Sequence, residues 1–189
     1  MDQATLSGEQ PEHSPGQKYG IYEVTSGGFS EYQAGHIPGA FHFDLSVIEN
    51  PLSWNFSPDD ELLAFLSKQG ITSDSAIILS SKNLLAAARA ALLLMYVGVE
   101  DVRILDGGFY AWVKAGYPVE TGVNEPVPGK AFGRNFPGHP EHIIGIDAVK
   151  AFLDNDQGIL VSVRSWTEYI GETSGYDFTG PKGRIAGAI

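Results

Sequence analysis

Short apolar runs alternate along this chain with longer amphipathic stretches. The runs at 20–24, 40–43, 76–79 and 102–105 are bounded by turn residues, as strands buried in a sheet are. Between and after them, the spacing predicts helices over 29–33, 57–70, 84–96 and 109–114. The second of these is the best marked. It has Ser57 as N-cap, Pro58 at the first helical position, Asp59, Asp60 and Glu61 in the first turn, apolar Leu62, Leu63, Phe65 and Leu66, and Gly70 as the stop. Alternation of strand and helix predicts an α/β domain, a mostly parallel central sheet flanked by helices on both faces.

After residue 122 the pattern changes. VNEPVPGKAFGRNFPGHP carries Pro126, Pro128, Pro137 and Pro140 with little periodicity and reads as a linker over 123–140. Beyond it, 146–155 predicts a helix and 159–163 a buried strand. An internal repeat connects the two ends of the chain. VTSGGFSEYQAGHIPGA begins at Val24 and VRSWTEYIGETSGYDFTGPKGRIAGA at Val163; both place Glu-Tyr shortly after the strand and close on Gly-x-Ile-x-Gly-Ala. The organisation expected is a polar lead-in over 1–17, a full domain over 18–122, the linker, and the N-terminal part of a second domain of the same type, truncated, over 141–189.

Charge and composition narrow the chemistry. Twelve Lys and Arg against 23 Asp and Glu give a net charge of -11, spread along the chain, which disfavours nucleic acid and anionic membranes as partners. The longest apolar stretch, 86–99, is interrupted by Arg89 and is too short for a membrane span. There is no cysteine, so no disulfide, thiolate metal site or cysteine nucleophile exists within these residues. Neither a basic nor an apolar signal segment opens the chain, and the compartment stays undetermined.

EYQAGHIPGA, the strand-loop-helix over 76–96 and DVRILDGGFYAWVKAGYPVETG together resemble the rhodanese domain of sulfurtransferases, in the family's order and spacing. GILVSVRSWTEYIGETSGY through GRIAGA resembles the opening of a further rhodanese domain, as in tandem or triple-domain thiosulfate sulfurtransferases. The resemblance implies the rhodanese-like three-layer fold plus a partial second copy. It also implies sulfur transfer from thiosulfate to cyanide or a thiol through a cysteine persulfide, with no cofactor, in the parent protein. An adjacent rhodanese domain of the same parent chain is the implied partner, and a small sulfur-containing anion the implied ligand. By resemblance to the triple-domain members, export to a bacterial periplasm is one expectation, with the cytoplasm as its alternative.

At the position where the family carries its cysteine stands Ser81. A serine hydroxyl does not hold a sulfane sulfur as a persulfide, and its pKa is too high for a loop field to ionise it. The rest of the loop, Lys82, Asn83, Leu84, Leu85 and Ala86, departs from the active pattern as well: Leu84 and Ala86 stand where active members tend to carry glycine and arginine. Arg89, the nearest arginine, lies two helical turns away. The expectation is a degenerate loop with no catalytic residue, in which Ser81 or Asn83 caps the helix. A serine hydrolase would need a nearby histidine and a Gly-x-Ser-x-Gly elbow, and the elbow is missing. His36 and His42 are poorly spaced as metal ligands, and no metal is expected. In the partial domain, Arg164 is the residue that the resemblance assigns to an anionic sulfur donor, with a structural pairing to Glu168 or Asp177 as the alternative. The competing function is a stand-alone protein-interaction or anion-binding module.

Overall fold

The computed structural model describes residues 19–129, 131–153, 158–175 and 180–189. The polar lead-in, Asp177 and the end of the helix expected to reach residue 155 lie outside the described residues. Two compact units are present, Met1–His142 and Ile143–Ile189.

In the first unit, four strands, β1 (Tyr19–Thr25), β2 (Phe41–Asp44), β3 (Ala76–Ser80) and β4 (Asp101–Ile104), form one sheet in the order β2-β1-β3-β4. All three pairings are parallel, with Tyr22 opposite Phe41, Glu23 opposite Ser80, and Ile77 opposite Val102. Helices α1 (Phe29–Ala34), α2 (Asp59–Lys68), α3 (Leu84–Val97) and α4 (Gly108–Lys114) connect and cover the strands. Side chains along a strand alternate between faces, and here the two faces have separate cores. Tyr22, Val24, Phe43, Ile77 and Leu79 pack with Leu62, Leu66, Leu93 and Leu94 of α2 and α3. On the opposite face Ile21 meets Ile37, Ala40, Phe109 and Trp112. Ile21 and Glu23 share that second face.

Helix α2 begins one residue later than its sequence signals suggest. Pro58 is extended, with φ -54° and ψ 155°, and occupies the cap position without a side-chain bond, while the Ser57 N–H is spent on the Ile48 carbonyl at 2.8 Å. Asp59, Asp60 and Glu61 remain in the first turn, where the helix dipole favours negative charge. The proline-rich segment lies along the first unit. Gly129 N–H donates to Ser67 O at 2.7 Å, Ser73 N–H to Phe132 O at 2.9 Å and Gly138 N–H to Val97 O at 3.1 Å, and the Phe132 ring is buried.

The second unit contains α5 (Ile146–Leu153) and α6 (Trp166–Tyr169). Residues 159–163 depart from expectation: they form no strand, and Ile159, Val161 and Val163 are exposed. Their ladder is limited to a two-bond contact, Ile189 N–H to Leu160 O at 3.0 Å and Ser162 N–H to Ile189 O at 2.8 Å. That contact places Val161 opposite Ile189 as Tyr22 stands opposite Phe41. The repeat is also visible in its bonds. Tyr32 Oη donates to Ala40 O at 2.9 Å and Tyr169 Oη to Ala188 O at 3.1 Å. The closing turns match as well, Ala40 N–H to Ile37 O at 2.9 Å and Ala188 N–H to Ile185 O at 3.0 Å.

Candidate functional site

Strand β3 delivers the chain into Ser81, Lys82 and Asn83, and α3 starts at Leu84. The loop borders a cleft of about 350 Å³ lined by the end of β1, by Glu31 and Tyr32 of α1, by Ser81, Lys82, Asn83 and Ala86, and by Tyr110. Ser81 is buried, and its hydroxyl is committed twice: it donates to Val24 O at 2.7 Å and accepts from Asn83 N–H at 3.0 Å. Asn83 is the N-cap of α3, its Oδ1 accepting from Leu85 N–H at 3.0 Å, while its carbonyl takes Ala86 N–H at 2.9 Å. Several donors that an open loop would offer an anion are therefore satisfied internally. Lys82 directs its ammonium to Glu31 O at 2.8 Å and lies 5.1 Å from the centre of the Phe109 ring.

The loop is clamped from the side by the turn after β4. Phe109 N–H donates to Ser81 O at 3.2 Å, and a Cβ added to Gly108 would lie 2.2 Å from that same carbonyl. Gly108, at φ +56°, is one position where glycine is required by both conformation and space.

The sequence reading missed Glu23. It is buried to 1% exposure, lines the cleft, and neither carboxylate oxygen has a hydrogen-bond partner; the Ser80 hydroxyl facing it across the ladder is also without one. Burial pushes its pKa up to about 7; the Ser80 hydroxyl, near it but outside hydrogen-bonding geometry, and the Lys82 charge oppose this only weakly. The ionised form of Glu23, which predominates only above about pH 7, would work against an anion bound in the cleft.

Leu84 and Leu85 do not fill the cleft. They are 45% and 80% exposed at the start of α3, and Tyr110, which lines the cleft, is exposed as well. Arg89 turns away from the loop. Its guanidinium pairs with Glu49 at 2.6 Å, donates to Trp54 O and stacks 4.0 Å over Phe56. Neither histidine near the site is available as a base for Ser81 Oγ, whose partners are backbone groups. His36 is fully buried with Nδ1 2.8 Å from Tyr32 O and Nε2 3.3 Å from Asn124 Nδ2, and His42 Nε2 sits 2.8 Å from Thr25 Oγ1.

In the second unit, Arg164 donates to Gly183 O at 2.9 Å and borders a cavity of about 350 Å³ together with Lys182 and Arg184. The pairing with Glu168 is not formed. That carboxylate instead accepts from Ser165 Oγ and Ser165 N–H, which hold its pKa below the usual range, with the Arg164 charge a lesser cause.

A parallel sheet covered on both faces, with a strand-to-helix loop braced against a Gly-Gly turn, defines a rhodanese-like α/β domain. Residues 17–115 match the rhodanese-like domain family, and the chain belongs to that family. Among its relatives, thiosulfate sulfurtransferase YnjE of Escherichia coli (strain K12) is 40% identical over 182 residues, covering 96% of this chain and 42% of that protein. The 3-mercaptopyruvate sulfurtransferase of the same organism is 31% identical over 135 residues, covering 69% of this chain and 47% of the relative. The crystal structure of YnjE superposes with a TM-score of 0.88 at 39% identity, over 97% of this chain and 44% of that one. Wild-type EanB gives 0.86 at 35% identity, over 98% and 47%. The chain thus spans less than half the length of each of these relatives.

Proposed function

We propose that this chain is part of a rhodanese-type sulfurtransferase in which the domain over 18–122 is non-catalytic and supports a cysteine-bearing domain elsewhere in the parent protein. The observation that carries this reading is Ser81. At the nucleophile's place stands a buried hydroxyl held by Val24 O and Asn83 N–H, and a chain without cysteine supplies no thiolate to accept sulfur. Above about pH 7 the ionised Glu23 carboxylate in the same cleft supports the reading, because it opposes the anionic donor such a site must bind. The role left to the domain is an interface, and Leu84, Leu85 and Tyr110 are the apolar groups it presents beside the cleft. In the second unit Arg164, with Lys182 and Arg184 beside it, is the group suited to hold a sulfur-containing anion for the parent enzyme.

The test is direct. The chain incubated with thiosulfate and cyanide yields no thiocyanate above the protein-free blank; turnover that scales with protein concentration overturns the proposal.

A second reading treats the domain as a protein-interaction module independent of any catalytic partner. The exposed leucines favour it, whereas the satisfied loop donors count against its anion-binding form. The two readings separate on Leu85→Asp made in the parent protein: sulfur transfer falls under the first and is unchanged under the second.

A further inference from the structure

The turn that ends the first unit carries His139, Glu141 and His142, and one potential ligand atom from each lies within 4.8 Å of the others. We propose that these three residues form a binding site for a single divalent transition metal ion of the zinc or copper type.

Three features of the turn carry the proposal. First, the backbone is fixed before any ion arrives. His139 N–H donates to Tyr96 O at 2.9 Å and Gly138 N–H to Val97 O at 3.1 Å, which ties the turn to the end of α3. The backbones touch there too, since a Cβ on Gly138 would stand 2.8 Å from the Gly98 Cα. Residues Pro140–His142 then form a single 3-10 turn, closed by His142 N–H to His139 O at 3.1 Å. Residues three apart eclipse in such a turn, so both imidazoles point to one side, their rings 5.0 Å apart and 17° from parallel.

Second, the donor set suits the ion. Two imidazoles and one carboxylate match the preferences of zinc and copper and not those of magnesium or calcium, which favour oxygen alone. His139 Nδ1 and Glu141 Oε1 are 2.9 Å apart. Metal–ligand bonds of about 2.0–2.1 Å in a tetrahedral site imply a ligand-to-ligand edge of about 3.3 Å. An ion can therefore sit between His139 Nδ1 and Glu141 Oε1 with small side-chain rotations, while the stacked His142 ring must turn about its side-chain bonds to aim a ring nitrogen, now within 4.8 Å, at the same ion. Third, the site is open to solvent, the His139 and Glu141 side chains being 43% and 65% exposed, and three protein ligands leave a fourth position for water or a further ligand. The net charge of -11 raises the local concentration of cations around it.

The experiment uses the untagged full chain. Zinc chloride titrated in a calorimeter at neutral pH is expected to bind one ion per chain, with an apparent enthalpy that varies with buffer ionisation enthalpy because protons are released. His139→Ala and His142→Ala should each weaken binding at least about tenfold, and the double variant should abolish it. His13→Ala, in the lead-in, should leave it unchanged. Copper(II) bound at the same stoichiometry should give an electron paramagnetic resonance spectrum with nitrogen hyperfine splitting that the double variant loses. Absence of saturable binding, retention of binding in the double variant, or loss of it in His13→Ala overturns the proposal. Circular dichroism matching the unsubstituted chain verifies that the variants are folded.

Discussion

Glu23 places a carboxyl in the middle of the sheet, at 1% exposure. Its strand, β1, is central in the sheet and both faces are covered. Position 23 therefore points into protein, where the carboxyl finds no partner. Its folded-state pKa, about 7, lies above the ordinary value of 4.5, so between these values the folded chain holds a proton that the unfolded chain has released. Stability is then full below about pH 4.5 as far as this group is concerned, and falls as pH rises through the window, by an amount on the order of 3 kcal/mol. Glu23→Gln removes the titration. Urea unfolding of both proteins at pH 5 and pH 8 should show the wild type losing stability between the two, and the variant retaining more of it at pH 8. Ser81 was more legible, because its place in a strand-loop-helix could be counted along the chain; the hydrogen bonds that occupy its hydroxyl could not.

Elements were readable where periodicity and punctuation agreed. Gly98 as the stop of α3 is an example, adopting the left-handed conformation with φ 104° and donating its N–H to Leu94 O and Met95 O. Boundaries set by tertiary contact were less visible: Ser57 is a good cap by residue type, yet its backbone is engaged by Ile48 before α2 begins. The turn holding His139 and His142 was hidden for a related reason, since a proline-rich segment without periodicity gives no sign that it is tied to α3. The junction of β4 with α4 can be tested by one substitution. Gly108→Ala places a methyl group against the Ser81 carbonyl at a left-handed backbone position, and should cost roughly 2–4 kcal/mol. The loss is measurable as a lower denaturation midpoint with unchanged slope.

For the molecule as a whole, the two units share a local plan but differ in how much structure surrounds it. In the first, the Tyr32 to Ala40 bond sits beside a four-stranded sheet; in the second, the corresponding Tyr169 to Ala188 bond accompanies a segment with two backbone bonds and exposed Ile159, Val161 and Val163. The repeat was legible because its Gly-x-Ile-x-Gly-Ala turn depends on local bonds. The buried strand expected at 159–163 was not realised, because burial depends on covering layers that apolar composition alone does not specify. Hydrogen exchange followed by mass spectrometry should therefore show amides of 158–163 exchanging far faster than those of β3 in the same chain; equal protection would contradict this account.

The clamp between the Ser81 carbonyl and the Gly108-Phe109 turn is made of main-chain atoms on one side and a missing side chain on the other. The brace consequently depends on the absence of a Cβ at 108 and not on the side chain at 81. A cysteine in place of Ser81 would leave that brace untouched, because no side-chain atom of residue 81 takes part in it.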